Sequence, residues 1–75
     1  MTRVFAATLV NADHIRSFDI RAAFPNGWQV QERVDDRVVH QRYLSDWHRV
    51  ERNVSQFVRE IADLRSRGWS VVEAV

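Results

Sequence analysis

Apolar residues in the second half of the chain recur with helical spacing. Trp47, Val50, Val54, Phe57, Ile61 and Leu64 are separated by 3, 4, 3, 4 and 3 positions, so all six fall on one stripe of a helix. The spacing predicts a helix from about Asp46 to Arg67, with Val58 and Ala62 widening the stripe. Ser45 suits the N-cap, and Asp46 suits the positive end of the helix dipole. Arg65 and Arg67 suit the other end, and Gly68 is free to adopt the left-handed conformation that closes a helix. On the outer face, Arg59 with Asp63 and Asp63 with Arg67 stand at i,i+4.

The first half alternates with a period of two. Phe24-Pro25-Asn26-Gly27-Trp28 reads as a hairpin loop: Pro25 presets one dihedral, Asn26 tolerates the next position, and Gly27 can take a left-handed bulge. A three-residue loop then pairs Phe24 with Trp28, Ala22 with Val30, Ile20 with Glu32 and Phe18 with Val34. The opposite face pairs Arg21 with Gln31 and Asp19 with Arg33. A second hairpin turns at Asp35-Asp36, setting Val30 opposite Gln41 and Trp28 opposite Tyr43. Val39 and Tyr43 then join the apolar face, and Val38, His40 and Arg42 the polar one.

Residues 3 to 10 read as a strand that turns at Asn11 to His14, with a short helix near Asn11 to Ser17 as the competing reading. With Val10 opposite Ile15, Phe5, Ala7 and Leu9 join the apolar face beside Ile20 and Phe18. After Gly68, Trp69 to Glu73 reads as a short final strand. The expected fold is α+β: an antiparallel meander of about four strands, one long amphipathic helix packed on one face, then a short C-terminal strand. Residues 1–75 form one expected domain.

Size sharpens this picture. A domain of 75 residues buries a thin core, and the chain has no cysteine to staple it. Good packing, helped by eight aromatic residues, or self-association must serve instead. Val58, Ala62 and the first strand's outer residues Val4, Ala6 and Val10 are apolar surplus suited to a homodimer patch. No run approaches the ~18 apolar residues of a membrane span, and no signal-peptide pattern stands out, so a cytoplasmic location without membrane contact is expected.

The net charge of +1 names no partner, but all 11 basic residues are arginine. Arginine is suited to planar, bidentate recognition, although a GC-rich genome also produces this bias. The outward sheet face gathers Arg21, Gln29, Gln31, Arg33, His40 and Arg42, offset by Asp19. Arginine and glutamine reach base edges and phosphates, so DNA or RNA is the first specific ligand class. The competing explanation is ordinary: the free face of an antiparallel sheet is polar anyway. In this register that face carries no aromatic residue on which a base could stack.

Other chemistry finds less support. His14, His40 and His48 sit on different elements without paired spacing, so no metal site is expected. No catalytic residues and no small-molecule cofactor are expected either, since phosphate loops and nucleophile elbows are missing. Glu32 alternates inward between Ile20 and Val39; buried, it would be a candidate acid or base. Near the sheet's end it would instead meet water or an arginine. The helix arginines Arg49, Arg52, Arg59, Arg65 and Arg67 alternate with Glu51, Glu60 and Asp63, as on a solvated face.

Gly27-Trp28-x-Val30, Tyr43-x-x-Asp46-Trp47-His48-Arg49-Val50-Glu51-Arg52 and Gly68-Trp69 together resemble a pattern of small bacterial proteins with no assigned activity. The resemblance covers roughly residues 18 to 69 and implies a bacterial source. Four strands followed by a helix is also similar in order to the PUR repeat, the Whirly domain and a transcriptional-coactivator fold. Those families bind single-stranded nucleic acid, usually as dimers, but the likeness is one of element order and carries no residues over. The expected function is a non-catalytic binding module for nucleic acid, with a protein-interaction or homodimeric assembly module as the alternative.

Overall fold

The computed structural model describes residues 3–74. Its strands are β1 (Arg3–Asn11), β2 (His14–Ala23), β3 (Gly27–Val34), β4 (Arg37–Leu44) and β5 (Ser70–Ala74), with helix α1 (Trp47–Ser66) between the last two. All five strands form one antiparallel sheet in the order β4-β3-β2-β1-β5. The chain is α+β with the expected ββββαβ order, and α1 carries it from one sheet edge to the other.

The first hairpin follows the alternation. Val10 faces Ile15, Ala7 faces Phe18 and Phe5 faces Ile20. Ala12 turns the chain at φ 52°. A bulge near Val4 redirects that side chain to the helix side, where it packs against the core. Val4 is therefore not part of the outer face.

The second hairpin is displaced by two residues from the expected register. Gly27 pairs with Ala23, Trp28 with Ala22, Ile20 with Val30 and Phe18 with Glu32. The loop is Phe24-Pro25-Asn26, so Phe24 leaves the sheet and stands 92% exposed. An even shift keeps every side chain on its own face, which is why the core residues survive the error. Gly27 is not left-handed; only Gly68 has a positive φ among the glycines. Gly27 is required by close approach instead. A β-carbon there would lie 2.5 Å from Tyr43 Oη and 2.6 Å from the Leu44 carbonyl oxygen.

The third hairpin begins as expected. Asp35 and Asp36 form a two-residue turn at φ 50° and 67°, the left-handed pair that matches strand twist. Val34 faces Arg37 and Arg33 faces Val38. A bulge at Val39 then slips the ladder by one residue: Glu32 faces His40, Val30 faces Arg42 and Trp28 faces Leu44. A slip of one residue reverses faces. Leu44 enters the core, Tyr43 turns outward, and His40 and Arg42 move to the helix side. The reversal buries a fully apolar side chain and leaves the tyrosine half exposed.

Helix α1 starts one residue later than expected. Asp46, not Ser45, is the N-cap, and its Oδ1 accepts from His48 N at 2.9 Å. The helix closes on Gly68 at φ 98°: Gly68 N donates to Arg65 O at 3.2 Å and Trp69 N to Leu64 O at 3.1 Å. These two bonds make a Schellman motif. Arg67 reaches back to Asp63 at 3.0 Å.

The core lies between α1 and the helix side of the sheet. Leu9, Phe18, Ile20, Val30 and Leu44 meet Val50, Phe57 and Leu64 there. Phe57 is the centre, with ring centroids 5.0 Å from Phe18 and 5.9 Å from Phe5. Each such aromatic contact contributes roughly 0.5–1.5 kcal/mol beyond area burial. Trp28 and Trp47 pack at 5.2 Å over the start of the helix. No helix among the described residues is long and apolar enough to cross a membrane.

Candidate nucleic-acid interface

Strand pairing arranges the outward face in cross-strand rows. One row runs Arg3, Arg21, Gln29, Tyr43. The next runs Ala6, Asp19, Gln31, Gln41, and a third runs Thr8, Ser17, Arg33, Val38. Small residues at Ala6, Thr8 and Ser17 leave a depression of about 240 Å³, rimmed by Arg3, Arg21 and Arg33.

Four of the six expected ligand-binding residues, Arg21, Gln29, Gln31 and Arg33, share this face. Gln31 sits at its centre. Its Nε2 donates to Gln41 Oε1 at 2.9 Å, and its Oε1 accepts from Arg33 Nε at 3.2 Å. Arg21 is engaged by Asp19, and Arg3 Nε lies 3.9 Å from the same carboxylate. Asp19 thus offsets part of the positive charge. Arg33 keeps its terminal nitrogens free of carboxylate partners among the described residues.

His40 and Arg42 do not belong to this face. The bulge at Val39 sets both on the helix side, and Arg42 Nη2 donates to Asn53 Oδ1 at 2.7 Å. Asn53 is buried and donates in turn to the Arg49 carbonyl at 3.1 Å. The spacing of Asn53, three residues after Val50 and four before Phe57, marks it as an inward position.

The same bulge supplies what the expected register lacked. Tyr43 lies on the outward face in the row of Arg21 and Gln29, half exposed, its ring lodged over Gly27. Because Gly27 has no side chain, the ring lies across the strand. Gln41 is a further amide on this face that the sequence pattern misplaced.

Glu32 does face the helix side, where Arg16 meets it. Arg16 Nη2 lies 4.0 Å from Glu32 Oε1 and 3.3 Å from Glu60 Oε1. Its guanidinium also sits 5.6 Å from the Phe18 ring centroid. Arg16 therefore clamps sheet to helix, and Glu32 is one jaw of the clamp. His14, on β2, pairs with Asp35 across two turns at 3.0 Å. The hydrogen bond and charge of Asp35 raise the His14 pKa, and the same bond lowers that of Asp35.

Compared with known proteins, the chain matches no family model, no curated protein and no solved structure.

Proposed function

We propose that the protein is a nucleic-acid-binding module that engages DNA or RNA through the outward face of its sheet. The observation that carries this reading is Tyr43: an exposed aromatic ring beside Gln29, in one row with Arg21 and next to the Gln31–Gln41 pair. Stacking on an aromatic side chain, amide contacts to base edges and arginine contacts to phosphate are the elements such surfaces combine. A ring that stacks bases favours single strands, whose bases are unpaired.

Fluorescence anisotropy with random single- and double-stranded oligonucleotides tests the reading. Single strands bind more tightly, and affinity falls with salt at a log–log slope of about −2 if Arg3, Arg21 and Arg33 each neutralise a phosphate. Tyr43→Ala weakens binding by about 1–3 kcal/mol. No binding at low salt, or binding indifferent to Arg21→Gln and Arg33→Gln, sinks it.

A second reading is assembly through the sheet edges, as in a homodimer. It draws on Val39 and Val72, exposed at 57% and 58% on the two edge strands. Sedimentation at two concentrations tests it, and a strictly monomeric species counts against it.

A further inference from the structure

We propose that Arg42, Arg49 and Arg52 form a phosphate-binding site at the junction of β4 and α1, away from Arg21 and Arg33 and adjoining the outward face at Tyr43. The three guanidinium groups line one open depression of about 460 Å³, together with Tyr43, Leu44 and Asn53. No carboxylate lines it. Among the described residues, none of the three arginines has a carboxylate within 4.0 Å. Glu51, the acid between Arg49 and Arg52 in sequence, instead approaches His48 at 3.6 Å.

Two features set this cluster apart from solvated surface charge. First, it is built. Arg42 is fixed by Asn53, a side chain only 7% exposed, and Asn53 is itself fixed by the Arg49 carbonyl. One guanidinium N–H is used in this bond, leaving four of the five donors for a ligand. Second, its charge adds to the positive end of α1, which the N-cap carboxylate of Asp46 offsets only in part. The first turn of α1 holds no acidic residue, and Arg49 sits near the positive end of the helix dipole. Arg52 follows one turn further along and Arg42 faces them from β4; the three like charges repel one another, and a bound anion removes the repulsion. Planar forks lining one depression suit a phosphoryl group carrying two or more anionic oxygens. That group can come from a free phosphate compound or from a polynucleotide backbone passing the β4 edge. Sequence pattern hid the site because it placed Arg42 on the other side of the sheet.

The test is an NMR titration of the full chain, reading arginine Nε–H and Asn53 Nδ2–H signals at constant ionic strength. Inorganic pyrophosphate is one titrant and single-stranded oligothymidylate the other. The proposal expects saturable shifts of Arg42, Arg49, Arg52 and Asn53. Arg49→Gln/Arg52→Gln weakens binding about tenfold or more, since hydrogen bonds to a charged ligand are lost. Arg59→Gln/Arg65→Gln removes the same charge elsewhere on the helix and changes affinity less than about twofold. Circular dichroism confirms that both double variants fold. Saturation by pyrophosphate supports the site with a free phosphate compound as its source, and saturation by the oligonucleotide alone supports it with a polymer as its source. No saturable shift with either titrant, or equal weakening in both double variants, overturns it. The Nε–H signals of Arg21 and Arg33 are followed in the same spectra, so that binding at the outward face is scored separately from binding at Arg42, Arg49 and Arg52.

Discussion

Gly27→Ala tests the reversal of β4 directly. A methyl group at this position would lie 2.5 Å from Tyr43 Oη, 2.6 Å from Tyr43 Cζ and 2.6 Å from the Leu44 carbonyl oxygen. The tyrosine ring can swing away, at the cost of its packing over the strand. The carbonyl cannot, because Leu44 is anchored in the core one residue before the helix approach. The end of the β3–β4 ladder must therefore shift. Overpacking of this kind costs about 1–3 kcal/mol, and replacing glycine returns about 0.5–1 kcal/mol by restricting the unfolded chain. Taking the middle of each range, the expected net loss is about 1.2 kcal/mol, or a fall in melting temperature of about 5–10 °C for a domain of this size. Thermal and urea denaturation followed by circular dichroism measure it. A cycle with Tyr43→Ala adds a second reading: with the ring gone, only the carbonyl clash remains, and the cost of Gly27→Ala drops to about half. A melting temperature within about 2 °C of the parent would refute the argument, as would an identical cost with and without the ring.

Three further outcomes are expected. Asn53→Ala removes the acceptor of Arg42; the lost bond costs about 1.5–3 kcal/mol, lowered because Arg42 can turn to water and because alanine favours helix, so urea denaturation should show about 1 kcal/mol of destabilisation. An unchanged midpoint would remove Asn53 from the strand–helix link. Ala12→Gly relieves an alanine held at φ 52° and should raise stability by about 0.5–1 kcal/mol; a loss would show that the turn needs its β-carbon. The His14–Asp35 pair makes stability pH-dependent. The raised His14 contribution is full below its ordinary value of 6.5 and disappears as pH rises through its folded value, while the Asp35 contribution is full above 3.8 and disappears as pH falls through its own lowered value. His14→Gln should therefore cost more stability at pH 5 than at pH 8 in melting experiments, both pH values being choices that bracket the histidine titration. An equal cost at the two would dismiss the ion pair.

What could be read from the chain, and what could not, divides by range. The α1 stripe and Gly68 are local signals: periodicity and one permissive residue suffice, and both appear where expected. The β1–β2 register is equally legible, because Val10 opposite Ile15 is fixed by a short turn. At the β2–β3 loop, two three-residue loops compete, Phe24-Pro25-Asn26 and Pro25-Asn26-Gly27. They differ by two residues, so alternation cannot tell them apart. The deciding contact is Gly27 with Tyr43 from the next strand, which no local pattern contains. The bulge at Val39 is worse placed for reading. No glycine marks it, and its cause lies at the far end of β4, where Leu44 rather than Tyr43 fills the core. That single irregularity moved two proposed ligand residues off the outward face and put an aromatic ring onto it. Arg16 was invisible for another reason: its partners Glu32 and Glu60 come from a neighbouring strand and from the helix.

The strand order β4-β3-β2-β1-β5 makes every strand contact local in sequence except one. Pairing of β5 with β1 requires the whole helix to be laid down first, and it closes the largest loop in the domain. The last strand thus has the least to hold it: five exposed residues zipped to an early neighbour by a ladder broken between Thr8 and Leu9. Amide exchange should show β5 opening as a unit while the meander stays closed, exposing the β1 edge as a vacancy for another extended segment.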